Sequence, residues 1–374
     1  MPKAKHPRRQ ARKPQGPIVP PGRFFEKELS GEQAPSYEVM ESLFRRAGTV
    51  HQRRPWEQME EVDLIAFHHP SSGEVCYVSV MGALGQAHAV QVLLGSEGYS
   101  WFQRIQTGEA GSYSDFLDGQ STIFVHFVSP IGLDRADREL ANCMRHPLIR
   151  GTAVPVFRAI RPGYHPWFVN DGEARVLTRG LEALLAMCAL LSTRSPADIW
   201  GREDFPLVQV TSAQPDQFEY SFSRIAAPRE TIRLPLVPKL DERRVQALLE
   251  RKLSKKGTLE VDHFYSSAMI GKRNERKACM RTALAIDAKT GFAFPPHAGA
   301  PEQPTGELLQ NVVLDAIDAK GALPGEIHVR KREFQVLLGP LSSALSFKVK
   351  VTQSLPALEF AKDALNVMLE RSGF

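Results

Sequence analysis

The stretch after Gly257 constrains the fold more than any other part of the chain. Thr258 to Ile270 is a long extended run ending at Gly271, and Ala278 to Ile286 is a second apolar strand. Asp287-Ala-Lys-Thr-Gly291 makes a turn, and Phe292 to Phe294 opens a third strand. The pattern then predicts a helix over Thr305–Lys320, a strand over Glu326–Val329 and a helix near Glu333–Leu345. A strand over Ser346–Val351 and a helix from near Leu355 complete the order β-β-β-α-β-α-β-α. Hairpins join neighbouring antiparallel strands, whereas parallel strands need a long crossover, usually a helix. The order therefore requires a mixed sheet with helices on its faces, an α/β unit.

Upstream, residues 30–230 read as an α+β unit. Tyr37–Ala47 is an expected helix, and Asp63–Phe67, Val75–Met81, His88–Leu94, Thr122–Val128 and Val154–Ile160 are expected strands. Helices are also expected over Ser96–Ile105 and from near Asp134. The strongest helix spans Asp171–Leu191, with a cap oxygen from Asn170 or Asp171 and apolar residues over more than one stripe. Phe205–Val210 and Gln217–Phe222 suggest a hairpin. The two prolines of Arg233-Leu-Pro-Leu-Val-Pro-Lys239 mark a boundary, so residues 231–256 form a linker and a connecting helix capped by Asp241.

Charge is unevenly placed. The 374-residue chain carries a formal +5, yet residues 1–16 hold six cations and no acid, leaving 41 basic and 42 acidic side chains elsewhere. Residues 1–22 are expected to be a disordered, basic, Pro-rich tail able to touch phosphate by charge alone. Apolar residues make up 43% of the chain, enough for a packed core, but no apolar run reaches membrane-spanning length. The four cysteines (Cys76, Cys143, Cys188, Cys279) are far apart, which suits small buried hydrophobes of a cytoplasmic protein rather than a disulfide or zinc framework. Nucleophile-elbow, P-loop and His-Glu-x-x-His patterns are absent.

Two stretches carry a resemblance. Leu259-Glu-Val-Asp262-His-Phe-Tyr265 and Thr282-Ala-Leu-Ala-Ile-Asp287-Ala-Lys-Thr-Gly291 resemble the first strands of the ribonuclease-H-like cores of integrases and transposases. That resemblance implies a first catalytic acid at Asp262 and a third at Glu359. Where it implies a second acid, at the end of the fourth strand, the chain has Arg330-Lys331-Arg332-Glu333. Such chemistry needs convergent carboxylates on two divalent ions, and three adjacent cations oppose it. The resemblance is therefore to a degenerate core. Ser79-Val-Met-Gly-Ala-Leu-Gly85 and Arg161-Pro-Gly-Tyr-His-Pro-Trp-Phe168, together with the C-terminal pattern, also resemble a family of uncharacterised bacterial two-domain proteins.

Arg161 to Phe168 is a rigid bend. Tyr164 and Trp167 lie beside Arg158, Arg161 and His165, the materials of a stacking platform or of an aromatic corner before the long helix. Arg330, Lys331 and Arg332 offer phosphate contacts or a solvated loop. The expected function is a non-catalytic binding or regulatory module contacting protein or nucleic acid, with no cofactor, no metal site and no membrane. The alternative is a phosphodiesterase or nuclease using Asp262, Glu333 and Glu359 with Mg or Mn.

Overall fold

A computed structural model describes residues 21–371, apart from residues 30, 86, 110–112, 202–203, 214–217, 229–236 and 273. The basic arm up to residue 20 and most of the Pro-rich boundary lie outside the described residues. The helices are α1 (Pro21–Glu28), α2 (Tyr37–Arg53), α3 (Gly95–Gln106), α4 (Tyr113–Gly119), α5 (Arg135–Cys143), α6 (Asp171–Leu191), α7 (Pro196–Ile199), α8 (Glu242–Glu250), α9 (Thr305–Lys320), α10 (Arg332–Leu337), α11 (Gly339–Leu345) and α12 (Pro356–Arg371). The first seven strands are β1 (Ile65–His68), β2 (Val75–Met81), β3 (His88–Leu93), β4 (Thr122–Val128), β5 (Val154–Ile160), β6 (Asp204–Ala213) and β7 (Phe218–Ala226). After them come β8 (Thr258–Ile270), β9 (Ala278–Asp287), β10 (His297–Gly299), β11 (Glu326–Val329) and β12 (Lys348–Val351).

The molecule is mixed α/β with two mixed sheets. The N-terminal sheet has seven strands in the order β5-β4-β3-β2-β1-β6-β7, antiparallel except between β1 and β6. Its main core lies under α2 and α6, where Leu43, Val50, Leu177, Leu181 and Leu184 meet Val78, Val90, Val92, Ile123 and Phe157. The α6 helix starts where the sequence predicts because Asn170 and Glu173 form a reciprocal capping box.

The folded body begins earlier than expected. Residues 21–28 are helical, and Phe24 and Phe25 are fully buried against Phe168 and the α2 core, so the tail boundary at residue 22 is corrected. An adjacent pair of phenylalanines gives the short α1 apolar surface to bury, which the preceding basic residues lack.

The second sheet has five strands in the order β10-β9-β8-β11-β12. The β8, β9 and β10 strands pair antiparallel, and β8, β11 and β12 pair parallel. Helices α8 to α11 cover one face, and α12 covers the other over β8 and β9. Two expectations shift. The third strand sits at His297–Gly299, because Phe292–Phe294 leads into Pro295-Pro296 and only Ala293 bridges to β9. The helix expected over Glu333–Leu345 is two helices broken at Gly339-Pro340, where proline cannot donate to the helical ladder.

The sheets are welded at the Arg161–Phe168 bend. Tyr164 bridges Ala278, the His165 N–H donates to the Lys277 carbonyl (2.8 Å), and the Cys279 N–H donates to the Gly163 carbonyl (2.9 Å). Gly163 has a φ of +76°, and a Cβ there would lie 2.7 Å from Pro301 Cβ, so the approach requires glycine.

Candidate functional site

The face of the C-terminal sheet under α12 holds the acids that the sequence singles out. Asp262 alternates with buried Val261 on β8 and so points to the α12 side, with Glu260 and Phe264. Glu260 receives the Leu358 N–H (2.8 Å) and satisfies a donor in the first turn of α12. Asp262 is buried and accepts the His263 N–H (2.9 Å). Burial pushes its carboxyl up to about 6, against the pull of Arg330 and, more weakly, of Lys331 and Lys362.

Arg330 leaves the end of β11 and lies between two carboxylates. Its Nε is 3.4 Å from Asp262 Oδ2, without hydrogen-bond alignment, and its terminal nitrogen is 3.3 Å from Glu359 Oε1. Glu333 does not join them. It is exposed on α10, and its charged surroundings are Lys331, Asp118, Arg104 and Asp115. The expected three-acid set is therefore corrected: two acids share a guanidinium and the third faces elsewhere. Among the described residues no group of three His, Cys, Asp or Glu side chains is arranged to hold a metal ion. The Arg330 guanidinium, within 3.4 Å of both acids, already supplies positive charge to Asp262 and Glu359, which does not suit a pair of divalent ions held by the same two carboxylates.

The neighbouring cations diverge. Lys331 points to the N-terminal sheet's α4, with its Nζ 2.6 Å from Asp115 and 3.5 Å from Asp118. Arg332 is exposed on the first turn of α10. Asp118 also accepts the Tyr265 hydroxyl (2.9 Å) and lies 3.5 Å from His263 Nε2. Burial holds that imidazole down at about 4 despite Asp118, so it is neutral at pH 7. Asp287, the other aspartate of the resembling motif, is a turn residue. It accepts the Lys289 and Thr290 N–H groups and pairs with Lys320 at 2.7 Å, which together bring it down to about 2.

Beside the acid pair, α12 leaves a polar shelf. Glu326 and His328 on β11 stand next to Lys348 and Lys350 on β12, in register on one face with Arg330 at the end. Both lysines are exposed, and Lys350 Nζ is 2.6 Å from Glu326. This face presents several cations within a few residues of the Arg330 pair.

Two family models divide the chain between its sheets. Residues 41–204 match a domain of unknown function (DUF7309), and residues 244–366 match a second domain of unknown function (DUF6930). No curated protein matches the chain. The acid pair, Arg330 and the shelf all lie inside the DUF6930 match, and α4 and the aromatic bend lie inside the DUF7309 match.

The bend does not present a stacking platform, because its groups are spent within the chain. Arg158 makes two bonds to Asp137 (2.8 and 2.6 Å) and stacks on Phe168 at 4.5 Å. Arg161 pairs with Glu173 and Glu32 (both 2.8 Å). Tyr164 donates to Glu302, the Trp167 indole donates to the Glu28 carbonyl (2.6 Å), and the His165 backbone is bonded across the junction. The aromatic-corner alternative describes these contacts better. Cys279 is buried at the same junction with its thiol pushed up to about 11, which leaves little nucleophilic thiolate.

Sequence reasoning missed Arg276. This buried side chain reaches Glu32 (3.0 Å), Glu173 (3.1 Å) and the carbonyls of Ala159 and Phe168 (3.3 and 3.4 Å). In the sequence it is one cation in the run Lys272 to Lys277, and nothing in that run sets it apart from its basic neighbours.

Proposed function

We propose that the protein is a non-catalytic module that binds a nucleic-acid backbone on the open half of its C-terminal sheet. The reading takes residues 30–230 and 257–374 as two units joined by residues 231–256, the second being ribonuclease-H-like. The strand order β10-β9-β8-β11-β12, with two parallel crossovers and a final helix over the first strand, supports that likeness. The observation that carries the function is Arg330. Its guanidinium spans Asp262 and Glu359 where divalent ions would have to sit. Lys348, Lys350 and the half-exposed Arg330 beside them supply phosphate contacts of the kind that position a backbone without reading sequence. The basic arm adds charge to the same purpose.

Fluorescence anisotropy with single- and double-stranded oligonucleotides tests this. Binding is expected at low salt, unchanged by EDTA, with no cleavage in Mg or Mn. Replacing Lys348 and Lys350 by Ala should lower the salt slope by about 1–2. Cleavage that requires Mn and vanishes in Asp262→Asn, or no binding at low salt, overturns the reading.

A further inference from the structure

Sheet edges expose unpaired N–H and C=O groups, and folded chains blunt them with charge, proline, brevity or a cover. Three of the four edges here are blunted. The β10 strand has only three residues, and β12 carries Lys348 and Lys350 in a strand of four. The β5 edge contains Pro155 and pairs at Ala159 with Trp167 of the bend. The fourth edge, β7, has none of these devices. It runs nine residues, Phe218-Glu-Tyr-Ser-Phe-Ser-Arg-Ile-Ala226, with neither lysine nor proline. Among the described residues nothing pairs with its outer side.

Register with β6 fixes the faces of β7. Val208 lies opposite Phe222 and Val210 opposite Tyr220, so both rings stand on the α6 side, edge-on to each other at 5.2 Å. Phe222 is half-buried at the margin of the main core, whereas Tyr220 is 37% exposed. Arg224 follows on the same side. Its in-plane donors are taken by Asp204 and the Ile199 carbonyl, which leaves the flat face of the guanidinium for an aromatic ring. Ser221 and Ser223 stand exposed on the other face.

We infer that β7 is an interface with a second copy of this chain: two β7 strands pair antiparallel about a two-fold axis at Phe222 and join the N-terminal sheets into one. Phe222 is the middle residue of β7, so this register overlaps the whole strand with its copy. It supplies about ten backbone hydrogen bonds, the number of a typical interface. An axis normal to the sheet keeps the α6 sides together, so Phe222 meets its copy and Tyr220 meets the partner's Arg224. The strand is therefore self-complementary, ring against ring on the axis and cation against ring on both sides of it. Glu219 and Arg224 lie toward opposite ends of β7, so antiparallel pairing brings unlike charges together where parallel pairing would bring like ones. The C-terminal sheet is welded beyond β5, at the far end of the strand order, and leaves the β7 end free. Pairing closes after two copies, because each chain offers one such edge. This contact is independent of the polar shelf on the C-terminal sheet.

Sedimentation equilibrium of the full chain tests this, together with two variants of the exposed serines. The wild-type chain should approach twice the single-chain mass in the micromolar range. In the inferred register Ser221 faces the partner's Ser223. Ser221→Lys/Ser223→Lys sets like charges against each other at both symmetry-related positions and should raise the dimer dissociation constant about ten-fold. Ser221→Glu/Ser223→Lys sets opposite charges there and should lower it about three-fold. A single-chain mass throughout that range overturns the inference. So does a dimer that both variants leave unchanged or both weaken, since the copies then meet elsewhere or in another register. Far-UV circular dichroism checks that the variants are folded, and the wild-type mass decides the matter if either is not.

Discussion

Arg276 and Arg330 each stand between two carboxylates, and they do opposite things. Arg276 is 7% exposed, and its guanidinium nitrogens are taken up by Glu32, Glu173 and two backbone carbonyls. Arg330 has a side chain 36% exposed, holds its acids at 3.3 and 3.4 Å, and leaves Nε unaligned. A saturated, desolvated guanidinium is part of the framework, because it and the more exposed Arg161 together answer both acids. One with loose contacts and a wet side remains open to an incoming phosphate. The same chemical motif is a weld at the junction of the sheets and a docking point on the shelf.

The contrast can be broken by removing each element in turn. Arg276→Met should have the largest effect. It leaves Glu32 and Glu173 with only the more exposed Arg161 and strips a buried ion pair from the junction, which should cost toward the lower end of about 3–5 kcal/mol in urea unfolding; a loss below about 1 kcal/mol would mean that Arg276 is not a weld. Asp262→Asn comes next and is read through pH. The folded carboxyl titrates near 6 against an ordinary 3.8, so the fold holds this proton more tightly than the unfolded chain does. The resulting stability is full below about pH 3.8 and is lost as pH rises through about 6, a change on the order of 3 kcal/mol. The D262N variant should lack that slope in unfolding measured from pH 4 to 7.

Arg330→Ala should cost only about 1 kcal/mol, as for other partly exposed pairs. It should also raise the Asp262 titration seen by carboxyl NMR above its wild-type midpoint, because the strongest opposing charge is gone. An unmoved midpoint would separate Arg330 from the acid. The smallest effect on stability belongs to Lys348→Ala/Lys350→Ala, expected within about 0.5 kcal/mol in the same urea series. If that pair destabilises like Arg276→Met, the shelf is structural and the comparison fails.

Much of the fold was legible. The spans of β8, α6, α9 and β11 coincide with the periodic and capped segments read from the sequence, because long apolar patterns bounded by Gly, Pro or cap residues leave few alternatives. The short α4 was not legible. Its seven residues carry little periodicity, and its use lies in presenting Asp115 and Asp118 to Lys331, across a gap of more than two hundred residues in sequence. At the candidate site Asp262, Glu359 and Arg330 were each singled out, but their relation was not. Arg330, Lys331 and Arg332 read as one basic cluster. Leaving a strand and entering a helix, the backbone sends the first to Asp262 on β8 and Glu359 on α12, the second to α4 and the third to solvent.

The amino-acid order alone settled where each chain segment must hide its apolar side and how hairpins and crossovers follow one another. Those properties are local, set by side-chain period and by backbone donors that need partners. Which cation answers which acid was decided only by tertiary packing. A charge is indifferent to its neighbours in sequence and acts on whatever the fold brings within a few ångströms, at a strength fixed by how much water remains between them.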